Sequence, residues 1–159
     1  MSPLLTLADG ASRADSADFW LFLHILGGMA TVGALTLCAV SLAGAWKNGS
    51  PALTRLGFRA LLYGAVPAFL VMRIAGQIVL NKEGLDGDDV DFTWINIGFT
   101  VTDMGVLFLI VSTVLVGLAA RRTDSTPGPS TGTRISAGLV SLLLVAYLVA
   151  VWAMTTKPL

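Results

Sequence analysis

The segment "FLVMRIAGQIVLNKEG", residues 69–84, places a guanidinium group inside an otherwise apolar run. Arg73 and Gln77 are four residues apart, so on a helix they lie one turn from each other on the same face. The apolar run covers residues 56–80, which exceeds the about 20 residues that a helix needs to cross a bilayer. A membrane span that contains Arg73 requires a polar partner for it elsewhere in the chain.

The composition predicts a membrane protein. Of 159 residues, 55% are hydrophobic and 13% are charged, whereas soluble domains average about 25% charged residues. The mean hydropathy is +0.79. Long apolar windows predict an all-α, four-transmembrane-helix bundle. Its spans are expected at residues 19–46, 56–80, 94–120 and 135–154. This transmembrane domain, residues 19–154, follows a polar leader, residues 1–18, and precedes a short tail, residues 155–159.

The charge and motif content excludes several functional classes. The formal net charge is zero and no basic tract is present, so nucleic acid is excluded as a partner. Cys38 is the single cysteine, which rules out an intrachain disulfide and a thiolate metal cluster, and we interpret it as a small packing residue. Gly-rich phosphate loops, zinc-protease motifs and nucleophile elbows are missing from the sequence. We therefore expect no enzymatic activity and no catalytic residue.

Positive residues predict the orientation of the spans, because Lys and Arg are retained on the cytoplasmic side. One side of the predicted bundle carries Lys47, Arg55, Arg59, Arg121, Arg122 and Arg134. The other side carries Arg13, Lys82 and Lys157. Both termini are therefore predicted to be extracytoplasmic, in a bacterial-type cytoplasmic membrane. The acidic stretch "DGDDVD", residues 86–91, then faces outward, and it lacks the residue order of a calcium-binding EF-hand.

Three polar side chains from different spans fall at similar predicted depths. At the rise of a helix, His24 lies about 8 Å, Arg73 about 10 Å and Asp103 about 13 Å from the outer ends of their spans. An Arg or Asp that faces lipid costs about 2.5 to 3.5 kcal/mol on insertion scales, and pairing removes much of that cost. We predict that Arg73 and Asp103 form a buried ion pair, with hydrogen-bonding groups one turn away on each helix. The predicted polar layer comprises His24, Arg73, Gln77, Thr100 and Asp103.

The sequence leaves several interpretations of this layer open. The pair is a structural clasp between two helices, or Arg73 extends outward to the acidic loop, or the layer lines an outward-facing cleft for a small ligand or protons. His24 is interpreted as a packing residue bonded to a Thr or a backbone carbonyl, with metal ligation, haem ligation and titration as alternatives. A single His cannot supply bis-histidine haem ligation, and methionines in apolar helices ordinarily pack. We expect neither a cofactor nor a metal site.

Small residues and one proline shape the predicted bundle. Small side chains allow helix backbones to approach closely where lipid gives no hydrophobic driving force. Gly98, Gly105 and Ser112 recur every seven residues, which predicts one packed seam along the third span. Pro67 is expected to disturb the second span near its middle, because proline lacks an N–H group and its ring crowds the preceding turn.

The stretch "FLHILGGMATVGAL", residues 22–35, has a glycine three residues after His24 and another at Gly33. In this pattern the first span resembles the opening helix of small four-helix bacterial membrane proteins of the copper-resistance-D-like group and related uncharacterised families. Those families often have a Trp before the second glycine, where this chain has Thr31 and Val32. The resemblance is confined to the first helix, and it implies a four-helix bundle that handles copper or a redox partner.

Three functional hypotheses follow from the sequence. The first is a non-enzymatic accessory or assembly subunit that docks on other membrane subunits or on copies of itself, because small residues are abundant in the spans. The second is a binder or transporter of a small ligand, metal ion or proton at an outward-facing polar cleft. The third is a redox module that carries haem or quinone. In all three, the lipid bilayer is the surrounding partner.

Overall fold

The computed structural model describes residues 3–83, 93–122 and 131–156, with side chains described for residues 17–83, 96–122 and 131–156. Within these residues the chain is all-helical. Its elements are α1 (Pro3–Asn48), α2 (Pro51–Arg59), a π-helical segment (Ala60–Ala65), α3 (Val66–Glu83), α4 (Thr93–Arg122) and α5 (Thr131–Thr156). The acidic stretch at residues 86–91 lies outside the described residues.

The described part of the chain contains four helical stretches that are long and apolar enough to cross a membrane. They are Ala17–Asn48, Pro51–Glu83, Asn96–Arg122 and Thr131–Thr156. The predicted all-α class with four candidate spans is thereby confirmed. Each predicted window lies inside one helical stretch of the chain, and every stretch extends beyond its window at both ends. The backbone of α1 also continues through most of residues 1–18, which the sequence assigned to a polar leader.

The second span comprises α2, the π-helical segment and α3 without a break. It begins at Pro51, the first helical position, where the fixed φ of proline fits and its missing N–H is not needed. Gly49 precedes it with a φ of 62°, a conformation that glycine adopts without a Cβ clash, and this allows the turn after α1. Further on, the N–H of Val66 donates to the carbonyl of Leu61, five residues earlier. The disturbance expected at Pro67 is therefore a widened π-helical turn directly before the proline.

The packing of the helices differs between the two ends of the bundle. α1 packs against α3 and α5, and α5 packs against α4. α2 packs against both α1 and α4. In the described residues, however, α3 and α4 do not pack side by side. The four spans therefore close into a ring at the α2 end and diverge between α3 and α4 at the opposite end.

Two packing features separate α3 from α4. Gly27 of α1 lies so close to α3 that a Cβ atom at this position would be 2.7 Å from the backbone nitrogen of Met72. On the opposite side, Tyr147 of α5 extends its hydroxyl to Gly105 of α4. Its ring also meets that of Phe69 of α3 edge-on, with 6.3 Å between the ring centroids. α3 is thus held near α1, while two aromatic rings fill the core beside α4.

Two residues of the predicted small-residue stripe of the third span, Gly98 and Gly105, lie in the seam between α4 and α5. Gly98, Gly105 and Ser112 are buried. A Cβ atom at Gly98 would meet Met154, and one at Gly105 would meet Tyr147, both of α5. The close approach that small residues permit is therefore used here. At the α2 end, the guanidinium of Arg134 lies 5.3 Å from the ring centroid of Trp46, which connects the start of α5 to the end of α1.

Candidate functional site

An ion pair bridges the gap between α3 and α4. Nη2 of Arg73 donates to Oδ1 of Asp103 over 2.9 Å. The guanidinium carbon of Arg73 also lies 5.0 Å from the ring centroid of Phe99, which is within the range of a cation–π interaction. Phe99 and Asp103 are one turn apart on α4. A single side chain of α3 therefore makes two contacts with α4, where the two backbones do not pack together.

The ion pair is formed, but it is not buried as the sequence predicted. The side chain of Arg73 is 35% exposed and that of Asp103 is 59% exposed. The divergence of α3 and α4 is the physical reason, because the two helices do not pack side by side around the contact. Large apolar residues close to the pair along the two helices are also exposed, including Leu70 and Ile74 on α3 and Leu107 on α4. Two charged groups thus lie within an apolar outer surface of the bundle.

Gln77 and Thr100, the two residues predicted to support the pair by hydrogen bonds, lie on the same helices as Arg73 and Asp103. Nε2 of Gln77 donates to Oδ1 of Asn81 over 3.1 Å, so this amide is engaged one turn further along α3. Thr100 lies on the exposed side of α4, where it borders a shallow depression shared with Asn96 and Ile97. Of the predicted polar layer, Arg73 and Asp103 are thus the two residues joined directly across α3 and α4.

His24 lies on the other side of α3, in the contact with α1. Its Nδ1 is 2.8 Å from the carbonyl oxygen of Met72, and since a carbonyl oxygen only accepts, Nδ1 carries the proton in this bond. The imidazole lies directly over Gly76, where a Cβ atom would be 2.7 Å from Nδ1. His24 thus connects α1 by a hydrogen bond to the backbone of α3 directly before Arg73. Hydrogen bonding of His24 to a backbone carbonyl is one of the arrangements that the sequence suggested.

Three residues of this region were not identified from the sequence. Phe99 stands one helical turn before Asp103, and that spacing was the available signal for a cation–π partner. Gly76 stands four residues after Met72 and makes room for the imidazole, but a lone glycine in a Gly-rich span gives no specific signal. Tyr147 is the aromatic residue that fills the core where α3 and α4 separate. Its position becomes evident only when α5 is packed against both helices.

The core of the bundle contains hydroxyl groups that have no hydrogen-bond partner among the described residues. They are the hydroxyls of Tyr147, Ser112 and Ser136, all of them buried. A buried hydroxyl without a partner loses its bonds to water without compensation. The hydroxyl of Tyr147 lies against Gly105, so it is enclosed in the α4–α5 seam. These groups are features of the packed interior and do not line the open surface around Arg73.

Two surface depressions of the described bundle carry few polar side chains: Thr100 borders both, and Asn96 borders the one on α4. A depression beside α4 and α5 has a volume of about 260 Å³, and Thr100 is the polar side chain among the residues that line it. Sites for small molecules ordinarily combine an apolar lining with several convergent polar groups. Among the described residues, no three His, Cys, Asp or Glu side chains are grouped so that they could hold a metal ion.

Comparison with known proteins gives no relative for this chain. No family model, no curated protein and no solved structure matches it. The resemblance of the first helix to the copper-resistance-D-like group therefore stays a prediction. The geometry of the bundle carries the functional argument that follows.

Proposed function

We propose that this chain is a non-enzymatic accessory or assembly subunit of the bacterial-type cytoplasmic membrane, which docks on a protein partner through the open side between α3 and α4. We name this side the α3–α4 face and define it by Leu70, Arg73, Phe99, Asp103 and Leu107. Four candidate spans support a multi-pass membrane protein. The distribution of Lys and Arg supports extracytoplasmic termini.

The observation that carries the proposal is the exposure of the ion pair. If the helices span a bilayer, Asp103 lies about 10 Å inside the span that begins at Asn96. At that depth a carboxylate that is 59% exposed faces acyl chains, which offer it no hydrogen bond. A short Asp side chain also cannot extend to the headgroups as Lys and Arg do. A partner that covers the α3–α4 face would remove this cost by supplying polar groups.

The cleft hypothesis has weaker support from the same geometry. The polar groups expected to line a cleft are spread over two sides of α3, because His24 contacts α1 while Arg73 contacts α4. The depression beside α4 and α5 is apolar apart from Thr100, and neither it nor the depression at Asn96 includes His24, Arg73 or Asp103 in its lining. A docking role accounts for the position of the charged pair without requiring an enclosed ligand site.

Photo-crosslinking in native membranes tests the proposal. A photoreactive amino acid replaces Leu107, one turn from Asp103 on the α3–α4 face, and in a matched control it replaces Met29 on the exposed surface of α1. We expect a protein adduct from position 107 and lipid adducts from position 29. The protein adduct should disappear in the double variant Arg73→Gln/Asp103→Asn, because the partner is recognised through the charged pair. Lipid adducts alone from position 107 would refute the docking role.

A further inference from the structure

The α3–α4 face carries a positive and a negative group side by side. The bond between Arg73 and Asp103 uses one guanidinium nitrogen and one carboxylate oxygen. A guanidinium has five N–H donors and a carboxylate has about four acceptor positions, so each group has capacity for a second charged partner. Both side chains are open to the outside, where such a partner would approach. A partner that presents an anion to Arg73 and a cation to Asp103 at the same spacing would use this capacity in full.

A second copy of the chain presents this arrangement of charges by symmetry. When a surface is turned by a two-fold axis onto its own copy, residue i meets residue j and residue j meets residue i. An axis between Arg73 and Asp103 would place each guanidinium between two carboxylates and each carboxylate between two guanidinium groups. Leu70 and Leu107, both exposed and each one turn from the pair, would pack around the four charges and exclude lipid. A different partner would have to match both charges independently.

We propose that the α3–α4 face is the interface of a two-fold symmetric homodimer, in which Arg73 of each copy pairs with Asp103 of the other. The inference rests on the proposed function, because it specifies the partner that covers the face. The intrachain ion pair then becomes one side of a closed ring of four alternating charges. In this ring no charge remains in contact with acyl chains. The dimer therefore removes the cost of exposing Arg73 and Asp103 to lipid.

Exchange of charges between two copies tests the cross-pairing. Two differently tagged copies are co-expressed, and their co-purification from membranes is measured. Copies that all carry Arg73→Glu present only carboxylates at the two positions, and copies that all carry Asp103→Arg present only guanidinium groups. We expect each variant alone to associate more than about tenfold less than the native chain, because like charges are placed together. A mixture of the two variants restores both cross-pairs, so association should return towards the native level.

The result of the mixture discriminates between pairing within and between copies. An ion pair that acts only within one copy cannot be restored by mixing, since each variant lacks its own opposite charge. Unchanged association of either variant alone, or no recovery in the mixture, would overturn the homodimer. The amount of each variant in the membrane is measured in parallel. If either variant fails to accumulate, cysteine crosslinking of the chain with Arg73 and Asp103 unchanged decides whether the homodimer forms.

Cysteine crosslinking tests the same interface with the ion pair intact. In a Cys38→Ala background, a single Leu107→Cys lies near the proposed axis, and Met29→Cys is the control on α1 with comparable exposure, 57% against 69%. Mild oxidation should give a disulfide dimer for Leu107→Cys and a monomer for Met29→Cys. A monomer in both cases would overturn the homodimer. A photo-adduct of position 107 with a different protein would also overturn it while leaving the proposed docking role intact, whereas lipid adducts alone would overturn both.

Discussion

Glycine sets the distance between α1 and α3 at the level of single residues. Gly27 faces the backbone nitrogen of Met72 and the carbonyl of Ala68, both closer than 3.0 Å to the position of a Cβ atom, at 2.7 and 2.9 Å. Backbone atoms cannot rotate aside as a side chain can, so any larger residue has to push the helices apart. The hydrogen bond from His24 to the carbonyl of Met72 depends on the same close approach.

Gly27→Ala should therefore destabilise the bundle. The added methyl group overpacks the α1–α3 contact, and we expect a loss of about 1 to 3 kcal/mol in the free energy of unfolding. Gly33→Ala is the matched control on the same helix, because nothing lies within 4 Å of its Cβ position. Reversible unfolding of the purified protein in mixed detergent micelles measures both. Equal stabilities of the two variants would show that α1 and α3 are not in backbone contact.

At the scale of the elements, the gap between α3 and α4 is the main property of the bundle that hydropathy does not reveal. The windows predicted from residue type lie inside the observed helices, because twenty apolar residues in succession are a long and specific signal. The partnership of Arg73 with Asp103 was also predictable, since each is a costly residue in an apolar helix. The exposure of this ion pair could not be predicted from the sequence. Apolar residues surround these helices on all sides, so the sequence gives little indication of which side faces a neighbour.

Tyr147 fills the core at the point where the two elements separate, and its substitution tests how that core is packed. Tyr147→Ala should lower the free energy of unfolding by about 3 to 5 kcal/mol, because it leaves a cavity between α3, α4 and α5. Tyr147→Phe should keep the native value or raise it by about 1 kcal/mol, since the hydroxyl has no partner among the described residues. Both are measured by the same unfolding titration. A clear destabilisation by Tyr147→Phe would show that the hydroxyl is hydrogen-bonded.

At the scale of the whole molecule, the bundle is closed at one end and open at the other. The closed end contains α2 and carries the contact between Arg134 and Trp46. The open end contains the ion pair. The proposed orientation directs the closed end to the cytoplasm, so the charged pair lies in the outer half of the membrane.

Thiol labelling in intact cells tests this orientation. In the Cys38→Ala background, Asp88→Cys lies in the loop predicted to be outside and Ser125→Cys lies in the loop predicted to be cytoplasmic. We expect a membrane-impermeant maleimide to label Asp88→Cys in intact cells and Ser125→Cys only after permeabilisation, because the positive residues are retained inside. The reverse labelling pattern would invert the proposed topology.

The sequence separation of the ion pair has a consequence for biosynthesis. Asp103 follows Arg73 by 30 residues, so during translation the guanidinium leaves the ribosome before its carboxylate has been delivered. If the second span entered the lipid alone, Arg73 would have no carboxylate to neutralise it. On the proposed topology, the two spans are therefore expected to wait beside the translocon and to enter the bilayer together as a helical hairpin.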